Sequence, residues 1–71
     1  MKTPVQSLMQ IIYNEMYTDD QAGAVRAATQ LARRIGATTT TELVETLYPE
    51  GVLAPSSFNV CCDAINALEN K

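Results

Sequence analysis

The chain contains no histidine and no tryptophan, and its two cysteines, Cys61 and Cys62, are adjacent. Without histidine there is no imidazole to activate a nucleophile or to move a proton near neutral pH. Neighbours on a helix point about 100° apart, so Cys61 and Cys62 cannot bridge without breaking it, which excludes a disulfide scaffold. A structural zinc site needs about four Cys, His or acidic ligands at set spacings, and this composition does not supply them. Basic residues are also few, five against eight acidic ones for a net charge of -3. That balance argues against a general affinity for nucleic acid or anionic membrane, which clustered Lys and Arg drive. The three glycines are isolated and make no phosphate-binding loop. No apolar run approaches the roughly 18 residues of a membrane span, and residues 1–10 lack the apolar core of a signal peptide. Free cysteines and these absences together predict a cytoplasmic protein with no cofactor and no membrane contact.

What is present reads as helix. At 71 residues there is room for one modest core and a single domain, residues 1–71. Three segments open with Thr followed three residues later by Gln or Glu, the pattern of a capping box. They are Thr3-Pro4-Val5-Gln6, Thr18-Asp19-Asp20-Gln21 and Thr39-Thr40-Thr41-Glu42. The first predicts a helix from Pro4 to about Tyr17 with Val5, Leu8, Met9, Ile12 and Met16 as its apolar stripe. The second predicts a helix over about residues 19–35, with Ala24, Val25, Ala28, Leu31, Ala32 and Ile35 on one face and Gly36 as a left-handed cap. The third predicts a short helix from about Thr40 to Leu47 using Leu43, Val44 and Leu47, with Tyr48 as a further candidate, stopped before Pro49. After a loop, a last helix starts near Ser56 or Ser57 and runs towards Asn70, placing Phe58, Cys61, Cys62, Ile65 and Leu68 on one side. No segment alternates with period two, so the fold class is all-α, a compact single-domain bundle of about four short helices.

Side chains that could carry chemistry have simpler roles. Cys61 and Cys62 sit on an apolar helix face as small hydrophobes. Asp19 and Asp20 fall in the first turn of the second helix, where negative charge complements the dipole. Glu42, Glu45 and Glu50 lack the regular spacing of a calcium loop and read as a solvated face. Arg26, Arg33 and Arg34 lie opposite the apolar stripe of the second helix. They solubilise it, or anchor an acidic partner or a phosphate backbone.

The segment Thr39-Thr40-Thr41-Glu42-Leu43-Val44-Glu45-Thr46-Leu47, a turn, and then Ser57-Phe58-Asn59-Val60 through Leu68-Glu69-Asn70-Lys71 resembles the helix-turn-helix part of winged-helix regulators. The resemblance covers less than half of the chain and implies a DNA-binding transcriptional regulator. The chain departs from that pattern where a wing hairpin would begin, at Lys71. Its would-be recognition helix offers Asn59, Asp63, Asn66 and Asn70, with no Arg or Lys before its last residue, whereas phosphate contacts supply most of the affinity.

The first helix points elsewhere. Ile11, Tyr13 and Tyr17 widen its apolar arc to roughly 240° at about 100° per residue, more than packing on one side requires. Tyr13 and Tyr17 share one edge, Ile11 the other, beside Glu15. Either the third and fourth helices cover both edges, or the arc receives a second copy or another protein, for which tyrosine is well suited. Val52 and Leu53 in the loop are natural additions. The sequence reading is therefore a non-enzymatic protein-binding module, a small regulatory subunit, inhibitor or adaptor with a homodimer as one form. Its composition is that of accessory proteins of phages and mobile elements. The binding residues are Ile11, Tyr13, Tyr17, Val52 and Leu53.

Overall fold

The computed structural model describes residues 3–51 and 55–69. They form four helices and no strand: α1 (Pro4–Tyr17), α2 (Gln21–Ile35), α3 (Thr40–Leu47) and α4 (Pro55–Glu69). α1 opens on the full capping box. The Thr3 hydroxyl accepts from the Gln6 amide at 3.1 Å, the Gln6 side chain accepts from the Thr3 amide at 3.1 Å, and Pro4 occupies the first helical position.

The second expected box does not form. Thr18 ends α1 instead of starting α2, and its hydroxyl donates back to the Glu15 carbonyl at 3.1 Å. Asp19 sits in the left-handed region at φ 64°, so it belongs to the connector and not to the first turn of a helix. Asp20 is the N-cap of α2, its carboxylate accepting from the Gly23 amide at 3.1 Å. Two signals competed within four residues, and the carboxylate nearer the helical run prevailed over the threonine.

α2 ends as expected at Gly36, φ 71°, with the Ala37 amide donating to the Ala32 carbonyl at 2.9 Å. α3 has half of its box. The Thr39 hydroxyl accepts from the Glu42 amide at 3.3 Å, but the Glu42 carboxylate accepts from the hydroxyls of Thr38 and Thr39 and not from a backbone amide.

α2 is the central element, packed against α1 and α4, and in part against α3. Its buried face is Ala24, Ala27, Ala28, Leu31 and Ala32, with Val25 and Ile35 at its margins. Four alanines in that face let the neighbouring backbones come close. α4 answers with small residues of its own, burying Ser57, Val60, Cys61, Ala64 and Ile65. The expected inner stripe through Phe58 and Cys62 is thus rotated outwards: Phe58 is 47% exposed and Cys62 half-buried. The physical reason is size, because a phenylalanine cannot enter a contact set by alanine. α1 contributes a single fully buried side chain, Ile12, while Val5, Leu8, Met9, Tyr13 and Met16 pack half-buried against the core.

Candidate protein-binding surface

α3 ends at Leu47 without a glycine to turn the chain, so its last carbonyls need partners from outside the helix. The Tyr13 hydroxyl of α1 donates to the Leu47 carbonyl. Its ring meets that of Tyr48 edge to face, centroids 5.8 Å apart and planes at 63°. The Tyr48 hydroxyl donates in turn to Ser57 Oγ of α4 at 2.9 Å, and the Ser57 hydroxyl lies 3.9 Å from the Met16 sulfur. Ser57 is 3% exposed, the one buried polar side chain of the described core. Tyr13, Tyr48, Ser57 and Met16 therefore join α1, the end of α3 and α4 with every polar atom satisfied. Burial, with Tyr48 alongside, holds the Tyr13 hydroxyl above its ordinary pKa, so it stays a donor.

Tyr13 is thus half-buried, and its ring meets Tyr48 edge to face and does not stack along Tyr17 as the four-residue spacing suggests. Its outer side still forms one wall of a shallow groove completed by Gln6, Met9 and Gln10. Tyr17, one turn on along the same edge, is 92% exposed. A second depression is lined by Leu47, Tyr48, Pro49 and Glu50. Val52 and Leu53 lie outside the described residues. Ile11 is 45% exposed but lies about 120° around the helix from Tyr17, at about 100° per residue. The expected site accordingly divides. Tyr17 and the outer side of Tyr13 lie along the side of α1 that carries the Gln6, Met9 and Gln10 groove, and Ile11 stands apart. Sequence reasoning missed Gln6 and Met9 as members of the groove, and Tyr48, Pro49 and Glu50 as the lining of the second depression. The pairing of residues 13 and 48 is what gathers them, and no local pattern encodes it.

The arginines have more ordinary company. Arg26, Arg33 and Arg34 are exposed. Arg33 and Arg34 stand in the last turn of α2, where positive charge complements the helix dipole. Arg26 acts on the α1 to α2 corner, lowering the pKa values of Glu15 and Asp20. At that corner a side-chain hydrogen bond with Asp20, some desolvation and the Asp20 charge hold the Glu15 carboxyl above its ordinary value. Asp20 is held below its own, chiefly by the Gly23 amide. Both carboxylates crowd over Gly23, where an added Cβ would meet Asp20 Oδ2 at 2.7 Å and Glu15 Oε2 at 2.8 Å.

Burial pushes the Cys61 thiol up to about 11, with Cys62 adding to the shift, so Cys61 is protonated at neutral pH. Among the described residues no three Cys, Asp or Glu side chains are grouped to hold a metal ion. No described helix is long and apolar enough to cross a membrane. The outer side of α4 carries Asp63 and Glu69, and its sequence from Pro55 to Glu69 has no basic residue. No protein-family model matches this chain, and no curated protein and no solved structure matches it either.

Proposed function

We propose that this chain is a non-enzymatic protein-binding module, a small regulatory subunit, inhibitor or adaptor, and that its contact edge runs along α1 through Tyr17 and the Gln6, Met9, Gln10 and Tyr13 groove. The observation that carries this reading is the exposure of Tyr17, 92%, one helical turn beyond a groove in which Met9 and Tyr13 are held against the core. A tyrosine brings large contact area at low entropic cost, and a preformed wall lowers the ordering that binding requires. Met9 and Tyr13 offer apolar surface, and the amides of Gln6 and Gln10 offer donors and acceptors at its rim.

A helix-turn-helix role on DNA finds little support. The α4 face that would enter a groove carries Asp63 and Glu69 and no basic residue, and the exposed arginines lie on α2, outside the two helices of that pattern.

The test is an affinity capture from the lysate of the source cell, run with and without nuclease and with Arg33→Ala/Arg34→Ala beside the unaltered chain. The binding reading expects one stoichiometric protein that survives nuclease and is retained by the arginine variant. Recovery dominated by nucleic acid, lost in that variant and weakening steeply with salt, would replace it with the DNA reading.

A further inference from the structure

Met16 differs from an ordinary core methionine in what faces its sulfur. The Tyr48 hydroxyl lies 3.6 Å and the Ser57 hydroxyl 3.9 Å from Sδ, and the two hydroxyls are 2.9 Å from each other. A thioether is a weak acceptor, so these two contacts add little as they stand. An oxygen atom bonded to that sulfur would be a strong acceptor. Directed between the two hydroxyls, it comes within about 2.7 Å of both while sulfur and hydroxyls keep their places. Met16 is half-buried, and with Asp19, Gln21, Ser56 and Val60 it forms the wall of a crevice with room for a molecule the size of water or hydrogen peroxide. A route to the residue and a pair of donors at its sulfur thus meet at the junction of α1, the end of α3 and α4.

We propose that Met16 is an oxidation site built into the fold, where hydrogen peroxide entering the crevice converts the thioether to a sulfoxide whose oxygen is held by the hydroxyls of Tyr48 and Ser57. In that step the sulfur gives up two electrons, the O–O bond breaks as the S–O bond forms, and the remaining hydroxide takes the proton of the transferred oxygen and leaves as water. Sulfoxide formation in a core makes an apolar side chain polar and disrupts packing. The cost is that of a buried acceptor without a donor, and here two donors are already in place. The site lies inside the fold and does not depend on what binds the outer edge of α1.

The test treats the folded chain with hydrogen peroxide, maps the oxidised residues by peptide mass spectrometry and measures urea unfolding before and after. Met16→Leu, treated alike, subtracts the effect of oxidation elsewhere in the chain. Tyr48→Phe/Ser57→Ala removes both donors and keeps the Tyr48 ring against Tyr13; loss of both partners of one hydrogen bond together is nearly neutral, so this variant is expected to fold. Met16 should be oxidised without denaturant. Its oxidation should raise the unfolding equilibrium constant at least roughly tenfold more in the double variant than in the unaltered chain. Oxidation of Met16 only in urea would overturn the proposal, as would a difference between the two chains smaller than that. Should the double variant not fold, the methyl resonance of oxidised Met16 in the unaltered chain decides: contacts with the Tyr48 ring are expected to persist, and their loss would overturn the proposal.

Discussion

Tyr13 shows how one residue can be read correctly as special and wrongly as free. Its spacing from Tyr17 marks it as surplus to a one-sided helix, and it is surplus to α1. It is used by α3, whose Leu47 carbonyl would otherwise face the core edge without a donor. Tyr13→Phe keeps the ring against Tyr48 and removes only the donor, for a cost of about 1 kcal/mol. In a domain of this size that lowers the midpoint of thermal unfolding by about 4–8 °C, measurable by circular dichroism. An unchanged midpoint would mean that the hydroxyl adds nothing to the closure of α3. Cys61 and Cys62 are a second case, since their adjacency promised equal behaviour. With the Cys61 thiol buried and pushed up to about 11, a thiol reagent at neutral pH should modify Cys62 alone, and reach Cys61 only on unfolding. The helical spacing placed both on an inner face, and a rotation too small for the pattern to specify decides which one is sealed.

At the scale of elements, the boundaries of α1 and α3 were legible because a capping residue, a proline or an apolar run agreed at each end. The start of α2 was not, because Thr18 and Asp20 offer the same chemistry two residues apart. Only the return path of the chain over α1 selects between them. That corner now has consequences of its own. Gly23→Ala in an exposed helix turn is expected to gain up to about 1 kcal/mol. Here the new methyl displaces the Asp20 cap, itself worth about 1 kcal/mol, so the net change should be near zero. In an Asp20→Ala background no cap is left to displace and only the flexible end of the Glu15 side chain must move aside, so the gain should reappear; a double-mutant cycle by urea unfolding measures the difference.

The two carboxylates also give a signed pH dependence. Glu15, its pKa raised, favours folding while protonated and withdraws that support as pH rises through its raised value. Asp20, its pKa lowered, favours folding above its ordinary value and loses that contribution as pH falls. Glu15→Gln keeps a neutral partner for Asp20 at every pH. Its melting temperature relative to the unaltered chain should therefore rise from about pH 4 to about pH 7. A constant difference across that range would show that the two carboxyls do not interact.

For the whole molecule, the class of fold was legible and the proposed contact edge only in part. Period 3.6, the absence of period two and the stops at Gly36 and Pro49 determine four helices. They do not determine which helices touch, and the edge exists only because residues 13 and 48 meet. Ile11 and Tyr17 fall on opposite edges of the arc by helical spacing alone, and the structure adds the groove on the side of Tyr13 and Tyr17.

The central claim is that the Tyr17 edge exists for a partner and not for folding. It is tested most directly by measuring thermal stability and captured partner for Tyr17→Ala and Ile11→Glu side by side. The binding reading expects both variants to melt close to the unaltered chain, with Tyr17→Ala losing at least roughly tenfold in affinity, about 1.4 kcal/mol, and Ile11→Glu retaining it. Full retention of the partner by Tyr17→Ala, or its loss only in Ile11→Glu, would contradict it.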